Sequence, residues 1–197
     1  MKALRLSVTK EVKKSKLGGL PDMPAGLEWP KTGDDETREY LPFLCQIDLS
    51  EFQHKFAASG MLYFFCTLDP DDIYGRAVLY YDGQEKLESR NAEVPTKGMD
   101  CDYPLEEYYL ELDSIDKKKE ASAIQLFGKG DYIQSDLEEF GEEISGEPTL
   151  LLQLDAEKFD YTFGNVCGDC GRIYFVMSKE DLANKNFTTV FAEMQYD

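Results

Sequence analysis

Two thiols spaced C-x-x-C, Cys167 and Cys170 within "NVCGDCGRIYF", are the residues of this sequence best placed to do chemistry. The spacing suits a zinc knuckle, a redox pair or a glycine turn. A structural zinc site takes four nitrogen or sulfur ligands. The chain offers three further cysteines, Cys45, Cys66 and Cys101, each isolated, and a single histidine, His54. A redox C-x-x-C wants its first thiolate at a helix N-terminus, where the dipole lowers its pKa. Here the next element, "RIYFVM", reads as a strand. The motif is therefore expected to be a turn. Gly168 and Gly171 supply unusual backbone angles, and Asp169 bonds nearby N–H groups.

Other chemistries find less support. Nucleophilic catalysis lacks a G-x-S-x-G elbow, and His54 reads as a surface residue of a helix. "GKGD" at 128–131 does not complete a phosphate-loop frame. "DPDDIYG" resembles a calcium loop but has no glycine at the sixth position and Tyr80 where the twelfth-position Glu belongs. No metal and no cofactor is expected. One polar pattern recurs: Q-x-D at Gln46/Asp48, Gln134/Asp136 and Gln153/Asp155. In a strand, residues two apart share a face. These pairs either finish strand ends by satisfying adjacent backbone or line one polar groove. Trp29, the lone tryptophan, is either a core plug beside a Gly-Pro arm or an anchor for a partner.

Charge narrows the partners. The 197 residues hold 39 acids and 21 bases, a formal charge of −18. Residues 1–20 run at +5, whereas residues 99–160 run at −13, with Glu138, Glu139, Glu142 and Glu143 close together. Such a field repels phosphates and attracts a basic partner. Nucleic acid and membrane are not expected as partners. No apolar run reaches the length of a membrane-spanning helix, and "MKALRLSVTKEVKKSK" lacks the apolar core of a signal peptide. An odd number of scattered cysteines fits reduced thiols. The expectation is a cytoplasmic protein.

The elements that must position these residues are mostly strands. "LRLSV" alternates apolar and polar residues, and "FLCQIDL", "MLYFFCTL", "RAVLYYD", "YYLELD", "TLLLQLD", "RIYFVM" and "TTVFAEMQ" read as further strands. Residues 17–42, with four Gly and four Pro, read as an extended arm with turns. Helices are predicted over 51–58, where Ser50 and Gln53 form a capping-box pattern, over 117–127, over 134–140, and over "KEDLANK" capped by Ser178. Without a regular βαβ rhythm, the fold class is α+β with a largely antiparallel sheet.

A repeat runs through the pattern. Gln46, Asp48 and Phe52 recur as Gln153, Asp155 and Phe159, 107 residues later. Gly60, Tyr63 and Phe64 recur as Gly171, Tyr174 and Phe175, 111 residues later, and Val78 falls on Val190. The chain is read as a single domain, 1–197, with two pseudo-symmetric β-(α)-β-β halves at about 41–84 and 148–195.

At these residues the sequence resembles the YwqG-like family, a bacterial domain family of unknown function. Four stretches carry the resemblance. They are Gly18-Gly19-Leu20-Pro21 with Trp29-Pro30; Leu41 to Leu49, "LPFLCQIDL"; "IQLFG" followed by Gln134 and Asp136; and "LLLQLD" with "GDCGRIYFVMSKEDL". They span 17–195. The resemblance implies one strand-rich α+β domain and brings no catalytic residues. The functional expectation is a non-enzymatic binding protein for a basic protein partner, of the kind that neutralises a toxin. The alternative is a carboxylate- or metal-dependent hydrolase with a polar groove between the halves.

Overall fold

The computed structural model describes residues 2–32, 38–52, 56–68, 73, 75–96, 99, 101–113, 124–134, 139, 143–155 and 171–196. The sequence readings at His54, Asp136, Glu138, Glu142, Cys167, Asp169 and Cys170 lie outside the described residues.

Strands run at Leu4–Thr9 (β1), Lys16–Leu17 (β2), Asp22–Pro24 (β3), Lys31–Thr32 (β4), Glu39–Tyr40 (β5), Phe43–Asp48 (β6) and Met61–Cys66 (β7). They continue at Arg76–Tyr81 (β8), Leu87–Ser89 (β9), Tyr108–Leu112 (β10), Ile124–Leu126 (β11), Pro148–Asp155 (β12), Arg172–Ser178 (β13) and Phe191–Gln195 (β14). Ten of them form one sheet in the order β14-β13-β12-β11-β1-β10-β2-β6-β7-β8. Every neighbouring pair is antiparallel. The sheet curls until its edges approach. Arg76, at the start of β8, donates from Nε to the Val190 carbonyl just before β14, at 3.2 Å. Its guanidinium lies 4.9 Å from the Phe191 ring centroid. The result is a nearly closed barrel.

Alternation decides what fills it. Leu4, Leu6, Leu17, Ile47, Phe64, Leu110, Ile124, Leu126, Leu152, Leu154 and Phe175 point inward and form one buried core. The rings of Phe64 and Phe175 meet edge-on across it, with centroids 5.3 Å apart. The outer faces of the two ends are covered as well. The arm after β2 lays Met23 and Trp29 over Phe43, Met61, Tyr63 and Phe65. The segment after β11 lays Tyr132 and Ile144 over Leu150, Tyr174 and Val176. Strands covered on both faces read as unbroken apolar runs, which is why "MLYFFC" is buried throughout.

The register repeats in detail. Gln46 faces Tyr63 and Asp48 faces Met61, with a bulge between Phe43 and Cys45. Gln153 faces Tyr174 and Asp155 faces Arg172, with a bulge between Leu150 and Leu152. One expected correspondence shifts. Val78 lies opposite Phe64, but Ala192, not Val190, lies opposite Phe175. Val190 precedes the strand, and a slip of two residues keeps the same face inward.

The protein is mostly β, so the α+β expectation is corrected. Among the described residues there is one short α-helix, Lys179–Ala183 (α1), capped as expected by Ser178, whose hydroxyl accepts from the Asp181 N–H. Where the sequence predicts a helix over 51–58, the described residues form a 3-10 turn, Leu49–Glu51, capped by Asp48 rather than Ser50, and residues 53–55 lie outside the described residues. Asp48 Oδ1 takes both the Ser50 N–H, at 2.9 Å, and the Ser50 hydroxyl, at 2.6 Å. Glu51 turns away to accept from the N–H groups of Lys14 and Ser15. Within the predicted 117–127 helix, Ile124–Leu126 is a strand, because ladders on both sides fix it; residues 114–123 lie outside the described residues. Most of 134–140 does too.

Because Phe64 and Phe175 fill the centre of the barrel, Phe64→Ala and Phe175→Ala should each cost about 3–5 kcal/mol, the range for deleting a buried ring. Urea unfolding should show the double variant losing less than the two losses added, because the rings touch.

Candidate functional site

Gln46/Asp48 and Gln153/Asp155 fall on the outer face of the barrel, in two clusters. The first begins at the turn after β2. Gly18 and Gly19 take φ of 66° and 65°. A Cβ on Gly18 would lie 1.9 Å from the Glu106 carbonyl oxygen, so only glycine fits. The turn lifts the chain over the sheet and delivers Asp22 above Gln46. Gln46 Oε1 accepts from the Asp22 N–H at 2.7 Å. Its Nε2 donates to the Lys14 carbonyl at 2.7 Å and to the Asp22 carboxylate at 3.1 Å. The Tyr63 hydroxyl donates to the Asp22 carbonyl at 2.7 Å. Gln and Tyr thus grip both polar groups of one peptide residue.

The second cluster repeats the grip. After β11, Phe127 and Gly128 take φ of 58° and 77°. A phenylalanine in that region is strained, and full burial in the core compensates it. The chain then brings Asp131 above Gln153. Gln153 Oε1 accepts from the Asp131 N–H at 2.7 Å. The Tyr174 hydroxyl donates to the Asp131 carbonyl at 2.7 Å, and Arg172 Nη1 donates to the same oxygen at 3.0 Å.

Charges flank each grip. Lys16, nearly buried on β2, bonds the carboxylates of Asp22 and Glu107, both at 3.0 Å. Burial pulls its pKa down, but the hydrogen bonds to Asp22 and Glu107 outweigh burial and hold the ammonium above the ordinary lysine value. Arg172 pairs with Asp155 at 3.0 Å and with the Asp131 carboxylate at 3.3 Å. Burial raises the Tyr174 hydroxyl to about 12, against the opposing pull of Arg172. Burial, helped by the charge of Asp22, raises Tyr63 still further. Burial also lifts Cys45 well above the usual thiol value and Cys66 to about 12, so both are protonated at neutral pH.

This arrangement holds the two arms onto the sheet. Carboxamides do not titrate, and Lys16 keeps its proton. Asp48 caps the turn and pairs with Lys14 at 3.2 Å, and Asp155 is buried against Arg172. Among the described residues no three His, Cys, Asp or Glu side chains cluster to hold a metal ion. A shallow cavity of about 320 Å³ lies elsewhere, lined by Asn91, Glu93, Val94, Thr96, Tyr103 and Pro104.

Two of the Q-x-D pairs are not brought together, and the third includes Asp136, outside the described residues. Gln46/Asp48 on β6 and Gln153/Asp155 on β12 stand five places apart in the sheet, which is ~24 Å along it at the usual strand spacing. Gln134 is exposed, and its backbone N–H donates to the Gln195 side chain at 3.1 Å. Trp29 is buried, with its indole N–H donating to the Leu41 carbonyl at 2.8 Å and its ring against Phe65. Glu139 and Glu143 are exposed. Sequence reading missed Asp22, Asp131, Lys16, Tyr63 and Tyr174 as site residues. The available signal was the likeness of "LGGLPD" to "LFGKGD", 109 residues apart, each ending in the gripped Asp.

The fold and the gripped arms define a strand-rich, barrel-like antiparallel domain. Residues 15–195 match the family described as a domain of unknown function, DUF1963, and the chain belongs to that family. No curated protein matches the chain. No helix among the described residues is long and apolar enough to cross a membrane.

The two grips differ in redundancy. The Asp131 carbonyl keeps Arg172 when Tyr174 is lost, so Tyr174→Phe should cost under about 1 kcal/mol. Tyr63→Phe should cost about 1–3 kcal/mol, because a buried carbonyl loses its donor. Equilibrium unfolding in urea measures both. Alkali tests the same hydroxyls. A tyrosine whose folded pKa lies above its unfolded value of about 10 stabilises fully below pH 10 and loses that contribution as pH rises through the folded value. Stability should therefore fall between pH 10 and about 12, where Tyr174 and Tyr103 ionise. The fall should be shallower in Tyr174→Phe.

Proposed function

We propose that the protein is a non-enzymatic, cytoplasmic binding domain that recognises a basic protein partner through its acidic surface. The observation that carries this reading is the division of labour between buried and exposed charge. Buried and half-buried cations are spent internally: Lys16 on Asp22 and Glu107, Arg172 on Asp155 and Asp131. Several exposed lysines are spent too, Lys86 on Glu88 and Lys179 on Glu147 among them. What faces solvent on both covered ends is an excess of carboxylate. Glu28, Glu85 and Glu93 lie on one side, and Glu139 and Glu143 on the other. With a net charge of −18, such a surface speeds encounter with a cation-rich protein and is weakened by salt. A toxin or nuclease with a basic cleft is one concrete form of that partner.

The same reading takes the chain as one YwqG-like domain made of two copies of a single unit. Support comes from the matched registers and bulges of β6–β8 and β12–β14 and from the twin grips on Asp22 and Asp131. Further support comes from contacts between corresponding residues, Phe64 with Phe175 and Arg76 with Val190. A duplicated scaffold offers two similar rims on which surface charge can diverge.

The experiment is a pull-down from native cytoplasm at low and high salt, followed by association kinetics with any protein recovered. A basic protein should be enriched at low salt. Changing Glu138, Glu139, Glu142 and Glu143 together to Lys should slow association by about tenfold or more at low ionic strength, with little change at high. Recovery of no basic protein, or an unchanged association rate, would leave the acidic surface as a device for solubility alone.

A further inference from the structure

The ladder order places the first strand of each half in the sheet of the other. β1 pairs with β11, Leu4 against Leu126 and Arg5 against Gln125. β10 pairs with β2, Tyr108 against Leu17 and Tyr109 against Lys16. β1 and β10 then pair with each other about a centre at Ser7 and Glu111, with Leu6 against Leu112 and Val8 against Leu110. Each first strand has thus left its sequence neighbour and crossed into the partner half.

We infer that β1 is an exchangeable element, and that the slot between β10 and β11 accepts the β1 of a second copy of this chain to form a reciprocal, strand-exchanged dimer. Three observations carry this. The slot is specific for an extended strand, because both its edges hydrogen-bond to β1 along their length. Its depth suits alternating apolar residues, which β1 supplies at Leu4 and Leu6, both buried. The connection from β1 to β2, residues 10–15, crosses over β10, exposed over its first part and held at its end, where Ser15 is buried and Glu51 and Gln46 bond the backbone of Lys14 and Ser15. Lys10, Glu11, Val12 and Lys14 are exposed, Val12 at 79%. In closed chains this connection must span two strand spacings, roughly 10 Å, and also rise over β10 and return. Straightened, it hands β1 to a neighbour with every ladder contact preserved, which is the low-cost route to a dimer. This inference does not depend on the acidic surface or on a basic partner.

The test uses full-length protein. Two versions with different C-terminal tags are unfolded, mixed and refolded at low and high protein concentration. A mixed dimer should form in a share that rises with concentration and should persist after dilution, because withdrawing β1 breaks two ladders. Deleting Glu11–Lys13 leaves a connection of at most ~14 Å fully extended, too short to clear β10, and should convert most of the protein to dimer. In the full-hinge chain, the paired substitution Ser7→Cys with Glu111→Cys reports which chain supplies β1. After oxidation, monomer fractions should run as single chains on a denaturing gel and dimer fractions as linked pairs. Absence of mixed dimer at every concentration in the full-hinge chain would overturn the inference. So would a dimer whose oxidised chains run singly, since its contact would then be another surface, or a folded Glu11–Lys13 deletion that stays monomeric.

Discussion

A peptide unit held under a covering arm must have its N–H and C=O answered, or the arm comes off. At Asp22 and Asp131 the sheet answers both groups from outside the ladder, with a glutamine oxygen and a tyrosine hydroxyl. The rest of the structure depends on these two grips. Without them the arms would not stay over Phe43, Tyr63 and Phe65 at one end, or over Leu150 and Val176 at the other. Strands apolar on both faces would then meet water. The Gly18-Gly19 and Phe127-Gly128 turns serve the grips by lifting the chain off the sheet at the right place.

The barrel interior follows from a different constraint. An antiparallel sheet can leave one face wet, but here both ends are apolar on both faces, so curling is the way to bury the inner one. Curling brings Phe64 onto Phe175 and leaves the edges β8 and β14 close enough for Arg76 to bridge them. The central strands β1 and β10 are different in kind. Their outward positions are polar, with Arg5, Ser7, Thr9, Tyr109 and Glu111 between the two arms. The centre therefore needs no covering arm, and there β1 lies between β11 and β10, and β10 between β1 and β2.

Polar residues that look reactive in the sequence are consumed by this architecture. Gln46, Gln153, Asp48 and Asp155 hold arms, cap a turn or neutralise Arg172. Lys16 is kept protonated by its two carboxylates. Burial keeps Cys45 and Cys66 as thiols. The chain as a whole keeps a net charge of −18.

The sequence by itself determined the strands, because period-two alternation and unbroken apolar runs are local signals. "LRLSV", "FLCQID", "MLYFFC" and "RIYFVM" are legible without a partner strand. It also determined that two stretches follow one pattern, and it marked Gln46, Asp48, Gln153 and Asp155 by their recurrence. Tertiary structure alone decided what those residues do. Asp22 is 24 residues from Gln46 and Asp131 is 22 from Gln153, separations at which no local period operates. It also decided that "IQL" is a strand rather than the end of a helix, since ladders from β1 and β12 override a weak helical propensity. The placement of β1 between β11 and β10 was likewise invisible in the sequence. Backbone ladders are made by N–H and C=O groups that every residue carries alike, so which strand pairs with which is settled by closure of the barrel and not by any side chain that can be read in order.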